Sequence, residues 1–156
     1  MTEKFGDVVY TADWTVKDMI EFFKPCGRIL EPCCGDGAFL RHLPPDTAWC
    51  EIDKGVDFFN YYGTVDWIIS NPPYSKFRPF LKHAFEISIN VCFLIPARNL
   101  FSGYGTVREA KNFGKMKNIR WYGTGNKLGF PMGNAIAAIH WERDYDGMCL
   151  ETFFED

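Results

Sequence analysis

The residues best suited to chemistry are four consecutive ones that follow the apolar run at 67–69: Asn71, Pro72, Pro73 and Tyr74. Asn71 offers a side-chain amide oxygen and Pro72 a backbone carbonyl, and two successive prolines stiffen the turn that carries both acceptors. Acceptors held in this way can bind an amino group and favour a pyramidal nitrogen whose lone pair attacks an electrophile. Tyr74 adds an aromatic face on which a planar group could stack. The alternative is a rigid structural loop with Tyr74 in the core.

A glycine-containing turn earlier in the chain is the second candidate site. Residues 29–39 have the pattern of a strand, a turn with Gly35 and Gly37, and the start of a helix. Glycine at these positions lets a ligand approach the backbone amides more closely than a side chain would allow. An acid beside the turn, Glu31 or Asp36, could serve a ligand that carries an amine.

The glycine turn and the later Asn-Pro-Pro-Tyr loop together resemble S-adenosylmethionine (SAM) dependent amino methyltransferases, most closely the adenine-N6 DNA methyltransferases. The resemblance extends over about residues 8–96. It implies SAM as the cofactor and a catalytic loop formed by Asn71, Pro72, Pro73 and Tyr74. It assigns cofactor contacts to Tyr10, Thr11, Glu31, Pro32, Gly35, Gly37, Glu51, Ile52, Asp57, Phe58 and Asn71.

Each part of SAM has an expected partner under this resemblance. Glu31 or Asp36 would hold the amino-acid end, although the family more often has Asp where Glu31 stands. Glu51 would accept hydrogen bonds from the ribose hydroxyls, with Asp53 as the competing candidate. The pair 57–58 would meet the adenine ring, its carboxylate accepting from the adenine amino group. The segment with Tyr10 and Thr11 resembles the one that closes over SAM in this family.

The elements that must position these residues alternate along the chain. The predicted strands are 28–30, 48–53, 65–70, 91–95, 119–122 and 135–141. The predicted helices begin near residue 15, at 38–43, and over a segment that carries Phe77, Phe80, Leu81, Ala84 and Phe85 on one face. This order predicts a Rossmann-like class I methyltransferase fold, an α/β protein of three layers whose mostly parallel sheet has an antiparallel edge.

Composition limits the size and class of the protein. Of the 156 residues, 47% are hydrophobic, so we expect a single methyltransferase domain over 1–156 with no separate target-recognition domain. The six cysteines lack paired C-x-x-C spacing, which favours reduced thiols and no metal site. No signal peptide or membrane-spanning run is recognised. We therefore expect a cytoplasmic protein without a membrane partner, and the resemblance suggests a bacterial cell or a phage-infected host.

The acceptor is less well determined than the chemistry. The resemblance implies DNA, in single-stranded form or with low sequence specificity, and a protein that works as a homodimer or with a specificity subunit. Asn-Pro-Pro-Tyr loops also occur in methyltransferases of RNA and of protein glutamine, because all these acceptors are conjugated planar nitrogens. A further alternative is a SAM-binding accessory subunit without catalysis.

A basic and aromatic segment after residue 95 is the candidate for substrate contact. The formal net charge of −3 argues against a protein that coats polyanions, so local charge must provide any affinity for nucleic acid. The basic residues are Arg108, Lys111, Lys115, Lys117, Arg120 and Lys127, with Tyr104, Phe113, Trp121 and Tyr122 between them. They predict contacts with phosphates and bases, or else the solvated face of a helix.

Overall fold

A computed structural model describes residues 9–101 and 103–155 of the chain. The strands are β1 (Ile29–Glu31), β2 (Ala48–Trp49), β3 (Val65–Ser70), β4 (Ser88–Pro96), β5 (Met116–Thr124), β6 (Ala135–Glu142) and β7 (Leu150–Phe153). The helices are α1 (Asp13–Phe23), α2 (Phe77–Ile87), α3 (Ala97–Leu100) and α4 (Tyr104–Phe113). Short 3₁₀ turns lie at Ile52–Lys54, Phe58–Asn60, Tyr74–Lys76 and Gly125–Leu128.

All seven strands join one sheet in the order β2-β1-β3-β4-β6-β5-β7. β6 runs antiparallel to both of its neighbours, β4 and β5, and every other pairing is parallel. The predicted fold class is thereby confirmed, with the antiparallel strand in the half of the sheet that ends at β7. β3 matches its predicted bounds, 65–70. A parallel arrangement brings the ends of β1, β2 and β3 to one side of the sheet.

Helices and turns cover both faces of the sheet, which explains why the central strands are apolar along their length. On one face α2 and α4 pack together, with the rings of Phe85 and Phe113 stacked at 4.1 Å. The opposite face is covered by α1, through Val16 and Met19, and by residues 35–43. The site at the strand ends therefore rests on two separate layers of core.

Two sequence predictions about local structure are wrong. Residues 38–43 form consecutive turns and no regular helix, although Arg41 N–H donates to the carbonyl of Gly37 as a helical residue would. The segment is short, and the Pro44–Pro45 pair that follows it cannot donate backbone hydrogen bonds. The predicted strand 48–53 also ends early, because Glu51 exchanges backbone hydrogen bonds with Val56 across a tight loop.

A cluster of polar groups fixes α1 to β5. Arg120 donates to both carboxylate oxygens of Asp18, at 2.6 and 2.8 Å, and the hydroxyl of Tyr122 donates to the same carboxylate at 2.7 Å. The guanidinium also lies 4.3 Å from the ring centroid of Phe22. These contacts hold the helix that residues 9–12 lead into. Within the described ranges, no helix is long and apolar enough to cross a membrane.

Candidate active site

A cavity of about 460 Å³ lies where β1, β2 and β3 end. The segment before α1 contributes Tyr10 to its lining, and the turn after β1 contributes Pro32 and Gly35. The loop after β3 contributes Asn71 and Pro73. The predicted cofactor turn and the predicted catalytic loop therefore share one cavity.

The segment after β2 forms the opposite part of the lining. It brings in Glu51, Ile52, Asp57 and Phe58, all predicted from the sequence, together with Asp53, the alternative to Glu51. The side chain of Ile52 is 64% exposed, whereas Phe58 is buried. Ile52 and Phe58 offer an apolar surface beside these three acids.

The other predicted site residues lie outside the lining of the cavity. Gly37 closes the turn by donating its N–H to the carbonyl of Cys34, and Pro72 is buried. Tyr74 is half-buried, with its ring edge-on to Phe130 at 6.3 Å. Thr11 contacts the cavity only through its hydrogen bond to Asn71, described below.

Glu31 is turned away from the cavity and is almost completely buried. One carboxyl oxygen accepts from the hydroxyl of Ser70 at 2.5 Å and from the backbone N–H of Cys33 at 3.0 Å. Burial raises the pKa of Glu31 to about 8. The Cys33 thiol in turn lies 3.0 Å from the Ser70 hydroxyl and 3.4 Å from the carbonyl oxygen of Asn71. These contacts join the end of β1 to the start of the catalytic loop.

Glu51 connects the glycine turn to the end of β2. Its two carboxylate oxygens accept from the backbone N–H of Gly35 at 2.6 Å and of Asp53 at 3.2 Å. Gly35 has φ of +52°, and a Cβ atom there would meet no protein atom within 4 Å. Glycine adopts this left-handed conformation without strain, and it leaves the space beside the turn open for a ligand.

Asp36 and Asp57 each use one oxygen to cap the backbone that follows. Asp36 accepts from the N–H of Ala38 at 3.1 Å, and Asp57 accepts from the N–H of Phe59 at 3.0 Å. Asp36 is exposed and lines the cavity, whereas Glu31 does not. Of the two acids proposed for an amine, Asp36 is thus the one within reach of a ligand.

The side-chain amide of Asn71 has a defined orientation. Its nitrogen donates to the carbonyl of Val9 at 3.2 Å and to the hydroxyl of Thr11 at 3.0 Å. Its oxygen has no hydrogen-bond partner within residues 9–101 and 103–155. The acceptor proposed from the sequence is therefore available beside the cavity.

The lining carries more negative than positive charge. Its four carboxylates belong to Asp36, Glu51, Asp53 and Asp57, and its two ammonium groups to Lys54 and Lys76, a net charge of −2. Such a lining favours a cationic ligand and disfavours polyphosphates.

Several lining residues escaped prediction from the sequence: Val9, Cys33, Lys54, Phe59, Lys76 and Phe80. Cys33, Lys54, Phe59 and Lys76 each lie beside a recognised motif in the sequence, and this position was the signal that could have identified them as lining residues. For Phe80, helical spacing indicated a core residue, and it is indeed buried while also reaching the cavity.

Three of the six basic residues in the predicted segment form ion pairs within the described part of the chain. Lys115 pairs with Asp146 and Lys117 with Glu142, while Arg120 is the partner of Asp18 described above. The aromatic residues follow the same trend, because Phe113 and Tyr122 are buried in the two cores. Arg108, Lys111 and Tyr104 remain exposed on α4. The segment therefore does not form the continuous basic surface expected of a nucleic-acid interface.

Comparison with known proteins identifies the fold. No protein-family model matches the chain, and no curated protein matches its sequence. Among solved structures, a candidate class I SAM-dependent methyltransferase from Listeria monocytogenes superimposes with a TM-score of 0.70 at 13% identity, over 99% of this chain and 68% of that one. A candidate RNA methyltransferase from Pyrococcus horikoshii gives 0.62 at 15% identity, over 84% of this chain and 83% of that one.

The M protein of the type I restriction enzyme EcoKI gives a TM-score of 0.67 at 14% identity. The match covers 90% of this chain but 45% of the M protein, so this chain corresponds to less than half of that relative. These similarities show that the chain has the fold of the class I SAM-dependent methyltransferases.

Proposed function

We propose that this chain is a SAM-dependent methyltransferase that acts on an exocyclic amine, with N6 of adenine in DNA as the favoured acceptor. The observation that carries the proposal is the shared cavity: the glycine turn, the acids after β2 and the amide of Asn71 all line it. A cofactor held by the first two groups would lie next to the third. Such proximity is what group transfer between two bound molecules requires.

The charge of the cavity fits SAM. The molecule carries a sulfonium, an ammonium and a carboxylate, so it has one more positive than negative charge. The net charge of −2 on the lining favours it over a nucleotide that carries phosphates. We assign Asp36 to the ammonium, Glu51 to the ribose hydroxyls and Asp57 to the adenine amino group. Ile52 and Phe58 would bracket the adenine ring.

Asn71 and Pro72 would act on the acceptor amine. The lone pair of a conjugated amine is delocalised, so the amine becomes nucleophilic when acceptors hold its hydrogens and leave the lone pair directed at the methyl group. The side-chain oxygen of Asn71, which has no protein partner in the described residues, and the carbonyl of Pro72 are suited to this role. The SAM sulfonium would supply the electrophilic methyl group. The proton can leave the nitrogen after transfer, so no general base is required.

DNA as the acceptor rests on the motif resemblance and on a chain of the same fold, the EcoKI M protein, which belongs to a restriction enzyme. Lys76 is exposed at the end of the catalytic loop, and we propose it as the contact to a phosphate beside a flipped base. Because three of the six basic residues in that segment are paired within the chain, we expect weak DNA affinity from this chain alone. A second copy or a specificity subunit would supply the remaining contacts.

RNA is the second candidate acceptor, favoured by the similarity to the Pyrococcus protein over most of both chains. Two further candidates, a protein glutamine acceptor and a SAM-binding accessory role without catalysis, share the same cofactor site. They differ from the main proposal in what receives the methyl group, or in whether it is transferred at all.

Transfer of radioactive methyl from SAM to duplex DNA, single-stranded DNA, RNA and a protein extract distinguishes these candidates. Asn71→Ala is compared with Asn112→Ala, a control on the exposed surface of α4. We expect transfer to DNA that Asn71→Ala abolishes and Asn112→Ala retains, with SAM binding intact in both. SAM binding without transfer to any acceptor, unaffected by Asn71→Ala, would support the accessory role instead.

A further inference from the structure

The side-chain amide of Asn71 can accept hydrogen bonds from the acceptor amine in only one of its two orientations. Rotation of the Asn71 side chain by half a turn exchanges its oxygen and nitrogen while leaving its shape almost unchanged. The flipped amide would present two N–H donors to the acceptor amine, which needs acceptors. Prolines on the following two positions stiffen the backbone, but they place no hydrogen-bonding group that would select one orientation of the amide.

The contacts that select the orientation come from the segment before α1. The carbonyl of Val9 can only accept, so the 3.2 Å contact requires the nitrogen of Asn71 on that side. The second amide hydrogen points to the hydroxyl oxygen of Thr11 at 3.0 Å. Both hydrogens are thus engaged, and the oxygen is left free of protein partners among the described residues.

We propose that Thr11 is a positioning residue for methyl transfer, whose hydroxyl oxygen holds the Asn71 amide with its oxygen available to the acceptor amine. The inference rests on the proposed function and assigns Thr11 a role other than cofactor contact. Tyr10, between the two acceptors, is 63% exposed and lines the cavity. A single extended segment thus borders the cofactor cavity and orients the amide of the catalytic loop.

The segment can perform this role because its helix is well anchored. Residues 9–12 lead directly into α1, which Asp18 fixes to β5 through the paired Arg120. Asp13, the first residue of α1, also lies 2.7 Å from the ring of His42 on the turn segment. Thr11 therefore lies two positions before a helix that is held at two points.

Thr11→Val and Thr11→Ser test the role. Valine has nearly the same shape as threonine but no acceptor, whereas serine keeps the hydroxyl. Thr11→Val loses one neutral hydrogen bond. We therefore expect its single-turnover rate at saturating SAM to decrease about tenfold. Thr11→Ser is expected to restore most of the rate, and the dissociation constant for SAM is expected to stay within about twofold of wild type in both variants.

Two kinetic outcomes would overturn the proposal. One is weaker SAM binding in Thr11→Val with an unchanged rate at saturation, which would make Thr11 a cofactor contact. The other is a wild-type rate and wild-type SAM binding in Thr11→Val. If Thr11→Val proves poorly folded in a thermal melt, Thr11→Ala, which also lacks the hydroxyl, replaces it.

A spectroscopic measurement separates this inference from the proposed function. In ¹⁵N-labelled protein the side-chain amide resonances of Asn71 are assigned by their loss in Asn71→Ala. We expect faster solvent exchange of these protons in Thr11→Val than in wild type or Thr11→Ser. Equal exchange in all three would refute the orienting contact. If the wild-type protein transfers no methyl group, the proposed function fails, and the exchange rates alone decide the role of Thr11 in holding the amide.

Discussion

Replacement of Glu51 by glutamine should weaken SAM binding strongly while leaving the fold intact. Both carboxylate oxygens accept backbone hydrogen bonds, from Gly35 and Asp53. Glutamine keeps one oxygen and presents an NH₂ group to the second N–H, so one of these bonds must be lost. The change also reduces the net charge of the cavity lining from −2 to −1.

The size of the effect follows from the type of bond removed. The proposed hydrogen bond from a ribose hydroxyl to the charged Glu51 carboxylate contributes about 1.5–3 kcal/mol, and its loss corresponds to an increase of about ten- to a hundredfold in the SAM dissociation constant. If the contact to the Gly35 N–H is also lost, the glycine turn loses its support and the result should lie in the upper part of that range. Glutamine can keep the 2.6 Å bond to Gly35 and lose the longer, exposed bond to Asp53, which water can replace, so we expect only a small decrease in the melting temperature of the ligand-free protein.

Isothermal titration of SAM into wild type, Glu51→Gln and Glu21→Gln measures the effect. Glu21 lies exposed on α1 and serves as the matched control for loss of one negative charge. Unchanged affinity in Glu51→Gln would refute the assignment of Glu51 to the cofactor. An equal loss in both variants would show that the whole-protein charge, and not this contact, controls binding.

Three further predictions concern stability. Burial lowers the pKa of His140 from 6.5 to about 4, so its neutral form stabilises the fold above pH 6.5. Its contribution to the free energy of unfolding, up to about 3 kcal/mol, should be lost as the pH falls from 6.5 to 4. In urea melts, the free energy of unfolding of His140→Gln should therefore depend less on pH over this range than that of the wild type. Asp18→Ala leaves Arg120 half-buried without its partner and should cost about 3 kcal/mol in a urea melt, whereas a cost below about 1 kcal/mol would contradict the anchoring role of the pair. Gly114→Ala would bring a Cβ atom into a clash with a backbone oxygen of β6, and it should destabilise the fold by about 2 kcal/mol or more in thermal melts. Gly103→Ala is the control, because its Cβ atom would meet no protein atom within 4 Å, and it should not destabilise the fold.

The sequence was most informative where local pattern and tertiary environment agree. The run Trp67-Ile68-Ile69 is buried on both faces, so a purely apolar strand forms there and Asn71 follows its end. The acid Glu51 and the pair Asp57–Phe58 are local in the same sense, because each directly follows or caps a short element. These residues were predicted from the family resemblance together with their place along the chain, and each lies beside the element it follows or caps.

Contacts between distant parts of the chain could not be predicted in this way. Glu31 turns inward because Ser70, 39 positions later, offers a donor in the core. Arg120 was predicted as a candidate for phosphate contact, but its guanidinium is paired with Asp18, 102 positions earlier in the chain. The amide of Asn71 is oriented by Thr11 from 60 positions away. Side-chain charge and type are visible in a sequence, but the partner that satisfies them is decided by packing.

In the proposed reaction, Asn71 and the cofactor cavity together transfer a methyl group from SAM to an amine. Nucleoside mass spectrometry of unmethylated DNA, incubated with the protein and SAM carrying a deuterated methyl group, tests it most directly. We expect deuterium-labelled N6-methyladenine with the wild-type protein and none with Asn71→Ala, although both bind SAM. Labelled N6-methyladenine in equal amount with Asn71→Ala, or no labelled nucleoside from a wild-type protein that binds SAM, would contradict it.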